Sequence, residues 1–236
     1  MDSGQTEQPI KVNMVRSERN TAGAKVMDDG SIELRVPYNF TDEQAQKMLN
    51  ANHQRLLHRA AIQRESFEKR SKYILTYGNE VLLFGERRPL RPLDDGEPDV
   101  VRLQDGCIYM RGGLSEERIR IAISNLCIDF AWKVFDNKLE HYSKLMGVRY
   151  NYFELSHGKV WMGSCNNQGI IRLSWRLIMI SEFVMDGDIV HELAHIKHPN
   201  HSKAFYEEIA KVQPDYKERG KALFNECNML YSERWL

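Results

Sequence analysis

Four of the chain's eight histidines fall within eleven residues, in the stretch IVHELAHIKHPNHSKAF from Ile189 to Phe205. His191, Glu192 and His195 stand there in the spacing H-E-x-x-H. On a helix, positions i and i+4 share one face with β-carbons about 5–6 Å apart, so two imidazoles can converge on one cation. Glu192 is offset by one position, about 100° around the helix, where a general base for an activated water belongs. A fold that uses this motif must bury one helix and return the chain over it, because a catalytic zinc usually takes three protein ligands and keeps one open position. The return is written in His198-Pro199-Asn200: proline disfavours helical geometry at the residue before it, and asparagine tolerates a left-handed turn. His201 then starts a new segment and is the favoured third ligand, with His198, Glu207 and Glu208 as competitors. Asp188 lies one turn before His191 and could orient it, although an acidic residue in the N-terminal half of a helix also has a simpler dipole explanation.

The remaining chain is read as a frame for that helix. Ile32, Leu34 and Val36 alternate with polar residues after the Asp28-Asp29-Gly30 turn, which predicts a hairpin with Ala24–Met27. A further strand is expected near Val12–Val15. Thr41 and Gln44 form a capping box opening one helix to about Arg70. Two more hairpins are predicted, Tyr73–Tyr77 with Val81–Phe84 around Gly78-Asn79, and Val100–Leu103 with Cys107–Met110 around Asp105-Gly106, with a loop over Pro89–Pro98 between them. Ser115 caps a long helix reaching Met146, where Gly147 stops it. Ile119, Ile123, Leu126, Cys127, Phe130, Val134 and Leu145 are its expected apolar face. Strands follow near Val148–Tyr152, Lys159–Met162 and Ile170–Ser174, with Gly163–Gly169 as a connection. Ser181 caps the histidine helix, which should end near Lys197 and must be supported by packing at Gly187.

The expected architecture is α+β: a flexible tail over residues 1–10, an antiparallel β-rich region with one long helix over 11–113, and a zincin-like metallohydrolase region over 114–236, in which the active-site helix lies under a small sheet. One continuous domain over 11–236 is the alternative. In such a fold an edge strand takes an extended peptide, and that role is assigned to Ile170–Ser174, with Ile171 and Leu173. Arg172 and Arg176 are candidate anchors for a substrate carboxylate or phosphate, against a structural salt-bridge reading.

Beyond these residues, WMGSCNNQGIIRLSWRLIM, VHELAHIKHPNHSKAFY and Pro214-Asp215-Tyr216 resemble the YgjP-like metal-dependent hydrolases. That family is similar in its H-E-x-x-H-x5-H triad to the SprT-like and WLM peptidases. The resemblance covers nearly all of the chain after about residue 12 and is specific in the C-terminal motif. It implies a zinc metallopeptidase with His191, His195 and His201 as ligands and Glu192 as catalytic base. This chain departs from the family at Trp161-Met162, where R-W usually precedes G-S-C.

Composition narrows the alternatives. The formal net charge is zero, so no overall field draws the chain to nucleic acid or membrane. Between Arg55 and Arg91 nine Lys/Arg stand against four Asp/Glu, a local excess that fits a solvated basic face. The four cysteines, Cys107, Cys127, Cys165 and Cys227, are scattered and form no C-x-x-C, and no signal or membrane-spanning run is present, so a cytoplasmic location is expected. Peptides or small molecules are the expected substrates and nucleic acid is not favoured. A zinc-type nucleotide phosphoanhydride hydrolase and a non-enzymatic metal-stabilised binding protein are the rival functions. Nickel or cobalt would accept the same three imidazoles.

Overall fold

Short-range turn chemistry lays out the first sheet. The computed structural model describes residues 10–93, 100–159 and 161–236. The described residues form two compact units that part between Tyr73 and Ile74. In the first, β2 (Gly23–Val26) turns antiparallel into β3 (Ile32–Pro37), and β1 (Val12–Ser17) lies parallel to β3 on its other side. Gly30 has φ 80°, and a β-carbon there would sit 2.8 Å from the Ala60 carbonyl, so only glycine lets this turn close. Ile32, Leu34 and Val36 bury their alternating side chains against Ala45 and Leu56.

The Thr41–Gln44 capping box forms in both directions and opens α1 (Asp42–Ala51). The single helix expected to Arg70 is instead broken at Asn52, where the backbone leaves helical geometry and α2 (His53–Lys72) starts. The Asn52 side-chain amide donates to the Met48 carbonyl, the local competition with helix that asparagine offers.

The second unit holds two sheets. One runs β4-β5-β7-β6, built from β4 (Glu80–Leu83), β5 (Glu86–Leu93), β6 (Arg102–Gln104) and β7 (Cys107–Arg111). The Asp105-Gly106 hairpin forms as expected, whereas Tyr73–Tyr77 is not a strand and the other hairpin turns at Phe84-Gly85. The loop expected over Pro89–Pro98 begins later, because β5 carries Pro89 and Pro92 to Leu93; residues 94–98 lie outside the described set. Proline is tolerated because β5 pairs with β4 only through Pro89 and with β7 only from Leu90 onward. The boundary expected at 113 therefore falls inside the second unit. The Phe84-Gly85 turn is bonded into it, with Phe84 N–H donating to the Ile178 carbonyl at 2.7 Å and Gly85 N–H to Met179 at 3.2 Å.

Helix α3 (Glu116–Met146) is capped by Ser115 and ended by left-handed Gly147. It buries Ile119, Ile123, Cys127, Ala131, Phe135 and Leu139, every fourth residue, while Leu145 is exposed rather than part of the apolar face. The second sheet runs β8-β10-β9 from β8 (Tyr152–Ser156), β9 (Gly163–Cys165) and β10 (Ile170–Ser174). Two expectations shift here. The strand expected at Val148–Tyr152 starts only at Tyr152, and that expected at Lys159–Met162, of which residue 160 lies outside the described set, occurs instead at Gly163–Cys165. Strand β10 is parallel to β8 and antiparallel to β9, so it is the centre of its sheet and offers no free edge.

A 3-10 turn at Trp175–Ile178 leads into α4 (Glu182–Ala194), and α5 (Lys203–Val212) and α6 (Tyr216–Ser232) complete the unit. Ser181 caps α4 and is itself held by Glu226 of α6 through its N–H at 2.7 Å and its hydroxyl at 2.8 Å. Asp186 receives Lys138 and Tyr142 of α3 at 2.6 and 2.9 Å. Gly187 admits the Arg219 side chain of α6, whose β-carbon would lie 3.1 Å from an added methyl. Among the described residues no helix is long and apolar enough to cross a membrane.

Candidate metal centre

Helix α4 is fixed by packing on nearly every side, with Val184, Met185, Ile189, Val190, Leu193 and Ala194 fully buried. That rigidity aims His191. The helix ends at Ala194, earlier than Lys197, with His195 as its C-cap. The N–H groups of Lys197 and His198 both donate to the Ala194 carbonyl as the chain turns back. Ser202 then caps α5 and leaves His201 immediately before the new helix.

The result is a cluster. One nitrogen from each of His191, His195 and His201 lies within 4.8 Å of the others, the one such group of metal-capable side chains among the described residues. Ring centroids are 4.8–5.0 Å apart, and the Nε2 atoms of His191 and His201 approach to 3.0 Å. His195 Nδ1 sits 3.1 Å from the His198 carbonyl, which assigns the proton to Nδ1 and leaves Nε2 with a free lone pair. Burial first, then the neighbouring His195 and His201, pushes His191 down to about 4. Burial also lowers His195. Neutral imidazole is the form that binds metal, so the donor set fits a cation.

Phe205 is a part of the site that sequence reasoning missed. It is fully buried on α5, with its ring centroid 4.7–4.9 Å from all three imidazoles. Its position four residues after His201 at the start of a helix was the available signal, but an apolar residue there reads as ordinary core.

Of the competing third ligands, His198 contributes only its backbone carbonyl. Glu207 pairs with Lys203 at 3.3 Å. Glu208 is buried and bonded to Lys197 at 2.6 Å and Lys211 at 2.5 Å, and these two ammonium groups hold its carboxyl down to about 2. Lys197 also donates to the Met146 carbonyl at 2.7 Å, so this pair staples the turn between His195 and His201 to α3 and α5. A carboxylate with a depressed folded pKa stabilises above its unfolded value, about 4.3, and that stabilisation is lost as pH falls toward 2. Glu208→Gln should therefore cost about 1–2 kcal/mol at neutral pH, discounted for the exposed lysines, and nothing near pH 2. Denaturant melts of both proteins across this range measure it; a pH-independent difference would refute the ionic account.

Glu192 and Asp188 lie on the buried side of α4. Glu192 Oε2 and Asp188 Oδ2 are buried with no hydrogen-bond partner among the described residues. Burial, followed by the adjacent Asp188, raises the Glu192 carboxyl, and burial raises Asp188. Strand β9 lies directly against them: a β-carbon on Gly163 would sit 2.7 Å from Asp188 Oδ2, Glu192 Cγ and Glu192 Oε1. Gly163-Ser164-Cys165 is thus a strand whose glycine permits contact with two carboxylates. Burial and then Glu192 push the Cys165 thiol up to about 11, which argues against a cysteine–histidine nucleophile.

The remaining predicted substrate residues are not brought to the cluster. Ile171 and Leu173 are fully buried in the central strand. Arg172 pairs with Glu154 at 2.8 Å. Arg176 is buried, donates to the carbonyls of Trp235, His157 and Gly158, and stacks on Trp175 at 4.2 Å. The basic run splits between the units, with Arg55–Lys72 on α2 and Arg87, Arg88 and Arg91 on β5.

None of the curated proteins matches the chain. Among solved structures, a metallopeptidase zymogen, abylysin of Pyrococcus abyssi, is 26% identical, covering 39% of this chain and 93% of that one with a TM-score of 0.37. The YgjP-like metallopeptidase domain matches residues 20–226, a span that includes all three clustered histidines and Glu192. A match over that much of the sequence means that the chain belongs to the YgjP-like family of metallopeptidase domains.

Proposed function

We propose that this chain is a zinc-dependent peptidase of zincin-like design, with Glu192 as its general base. The observation that carries the reading is the three-imidazole cluster together with the buried Glu192 carboxyl, next to His191 on α4 and unpartnered at Oε2 among the described residues. His191, His195 and His201 would hold the ion. Bound there, it supplies Lewis acidity, polarising the scissile carbonyl and bringing the pKa of a water toward about 7.

The chain's own groups do the rest. The Glu192 carboxylate accepts the proton of the attacking water and delivers it to the leaving amine. The His198 carbonyl keeps His195 in the required tautomer. Phe205 packs its buried ring against all three imidazoles.

The edge-strand role passes from β10 to β9. Gly163, Ser164 and Cys165 pair with Leu173, Arg172 and Ile171 on one side, and among the described residues no strand pairs on the other. An extended peptide added at that side would run beside Gly163, against the Glu192 carboxylate. A hollow of about 340 Å³ lined by Trp161, Met162, Gly163 and Ser164 adjoins it. The phosphate-hydrolase alternative loses its anchors, because Arg172 and Arg176 are engaged within the protein.

Metal analysis of purified protein and a peptide-library digest read by mass spectrometry test the proposal. Wild type should carry one zinc and cleave peptides. His201→Ala should weaken zinc binding by at least about 10-fold, since the third ligand is lost. Undiminished zinc affinity in His201→Ala, or a zinc-loaded protein inert toward the library, would overturn it.

A further inference from the structure

An aromatic row leads away from the histidine cluster along the surface of α5 and α6. The His201 ring stacks with Tyr206 at 6.4 Å, and Tyr206 stacks with Tyr216 at 5.5 Å. Tyr206 and Tyr216 then line an open groove of about 850 Å³ with Lys217, Gly220, Lys221 and Phe224. Phe224 is 68% exposed, so most of its ring faces the groove's open side and not the core.

The α6 side of the groove has a regular construction. Tyr216, Gly220 and Phe224 are four residues apart and share one helix face, so the two rings stand about 12 Å apart along the axis with glycine between them. Glycine is the poorest helix former after proline. Packing does not require it at 220: a β-carbon there would meet nothing within 4 Å, and φ is not positive. What glycine does is leave the floor open between two aromatic walls. Gly187 is different, since Arg219 occupies the space above it.

The charge of the groove is one-sided. Its lining contains Lys217 and Lys221 and no carboxylate. Lys217 sits 5.9 Å from the Tyr216 ring, and among the described residues neither lysine is in an ion pair.

We propose that this groove is a substrate subsite that takes a peptide segment carrying an aromatic or aliphatic side chain beside acidic ones. The apolar side chain lies over Gly220 between Tyr216 and Phe224, and the acidic ones meet Lys217 and Lys221. The identity of the occupant as peptide rests on the peptidase reading, and continuity through Tyr206 joins the groove to that site. Aromatic rings with lysines also suit single-stranded nucleic acid. Two lysines on a chain of zero net charge form no phosphate-tracking stripe, so peptide is favoured.

The test is binding to the whole 236-residue chain without metal, which separates the groove from turnover. Fluorescence anisotropy would compare a labelled peptide of alternating phenylalanine and glutamate, its phenylalanine–lysine counterpart and a short oligothymidylate. The acidic peptide should bind about 10-fold more tightly than the basic one, and Lys217→Glu with Lys221→Glu should abolish that preference. Gly220→Gln should weaken binding about 10-fold while raising Tm by about 2–4 °C, because the helix gains a better former as the floor fills. Wild-type affinity in a stabilised Gly220→Gln protein would overturn the proposal. So would equal binding of both peptides, or tighter, steeply salt-dependent binding of oligothymidylate. The two readings fail separately. Peptide binding as expected, with no cleavage by zinc-loaded protein, sinks the peptidase and leaves a peptide-binding groove; cleavage insensitive to Gly220→Gln and the lysine reversals sinks the subsite alone.

Discussion

Glu192→Gln should keep its full complement of zinc and lose peptide hydrolysis by about 10²–10⁴-fold, the usual contribution of a positioned general base. Glutamine has the same shape and fills the same slot between α4 and β9, so the three imidazoles should not move. It cannot accept a proton. The substitution also removes a buried carboxyl whose Oε2 has no partner among the described residues and whose neighbour Asp188 is another acid. Glutamine is neutral at every pH and does not bear the penalty that burial and Asp188 place on the ionised carboxyl, so the variant should melt at or above the wild-type temperature. Undiminished stability, equal metal content and lost turnover together identify a base. Wild-type turnover would show that the proton goes elsewhere, and loss of zinc would show that Glu192 holds the site together instead.

The second large effect is expected at Gly163. An alanine methyl there would lie 2.7 Å from Glu192 Oε1 and Cγ and from Asp188 Oδ2. Most of those atoms are at the ends of flexible side chains, so the strain relaxes by moving them, and the stability cost should stay near the low end of overpacking, about 1 kcal/mol. Relaxation displaces the proposed base. A displacement of about 1 Å in a catalytic group costs on the order of 10²-fold, so Gly163→Ala should lower kcat by about that factor with zinc content unchanged. Titrating zinc and measuring kcat and KM on the same sample checks this. Unaltered kcat would mean that the close approach of β9 to α4 is only packing.

What was readable in the sequence is what short-range chemistry writes. The Thr41–Gln44 box, Ser115 with Gly147, Ser181 and the Asp105-Gly106 turn all form as expected, because the partners of each signal lie within a few residues or at the ends of one helix. The H-E-x-x-H spacing and the Pro199 break belong to the same class: helical geometry brings His191 and His195 together, and the reversal after Ala194 carries the chain back to His201. Where a neighbour far along the chain decides, the sequence was silent or misleading. Ile170–Ser174 takes an edge role by analogy with zincin-like folds, yet β8 and β9 pair with both its sides. Arg176 looks like an anion anchor until the Trp235, His157 and Gly158 carbonyls surround it. Phe205 reads as core until three imidazoles lie around it, and Gly163 reads as a turn until two carboxylates fill the space its side chain would need. The sequence by itself determined which residues could bind a cation and carry a proton. Tertiary structure alone decided which strand has a free edge and which carboxyl is left without a partner, because edge exposure and burial depend on residues too distant for local periodicity to record.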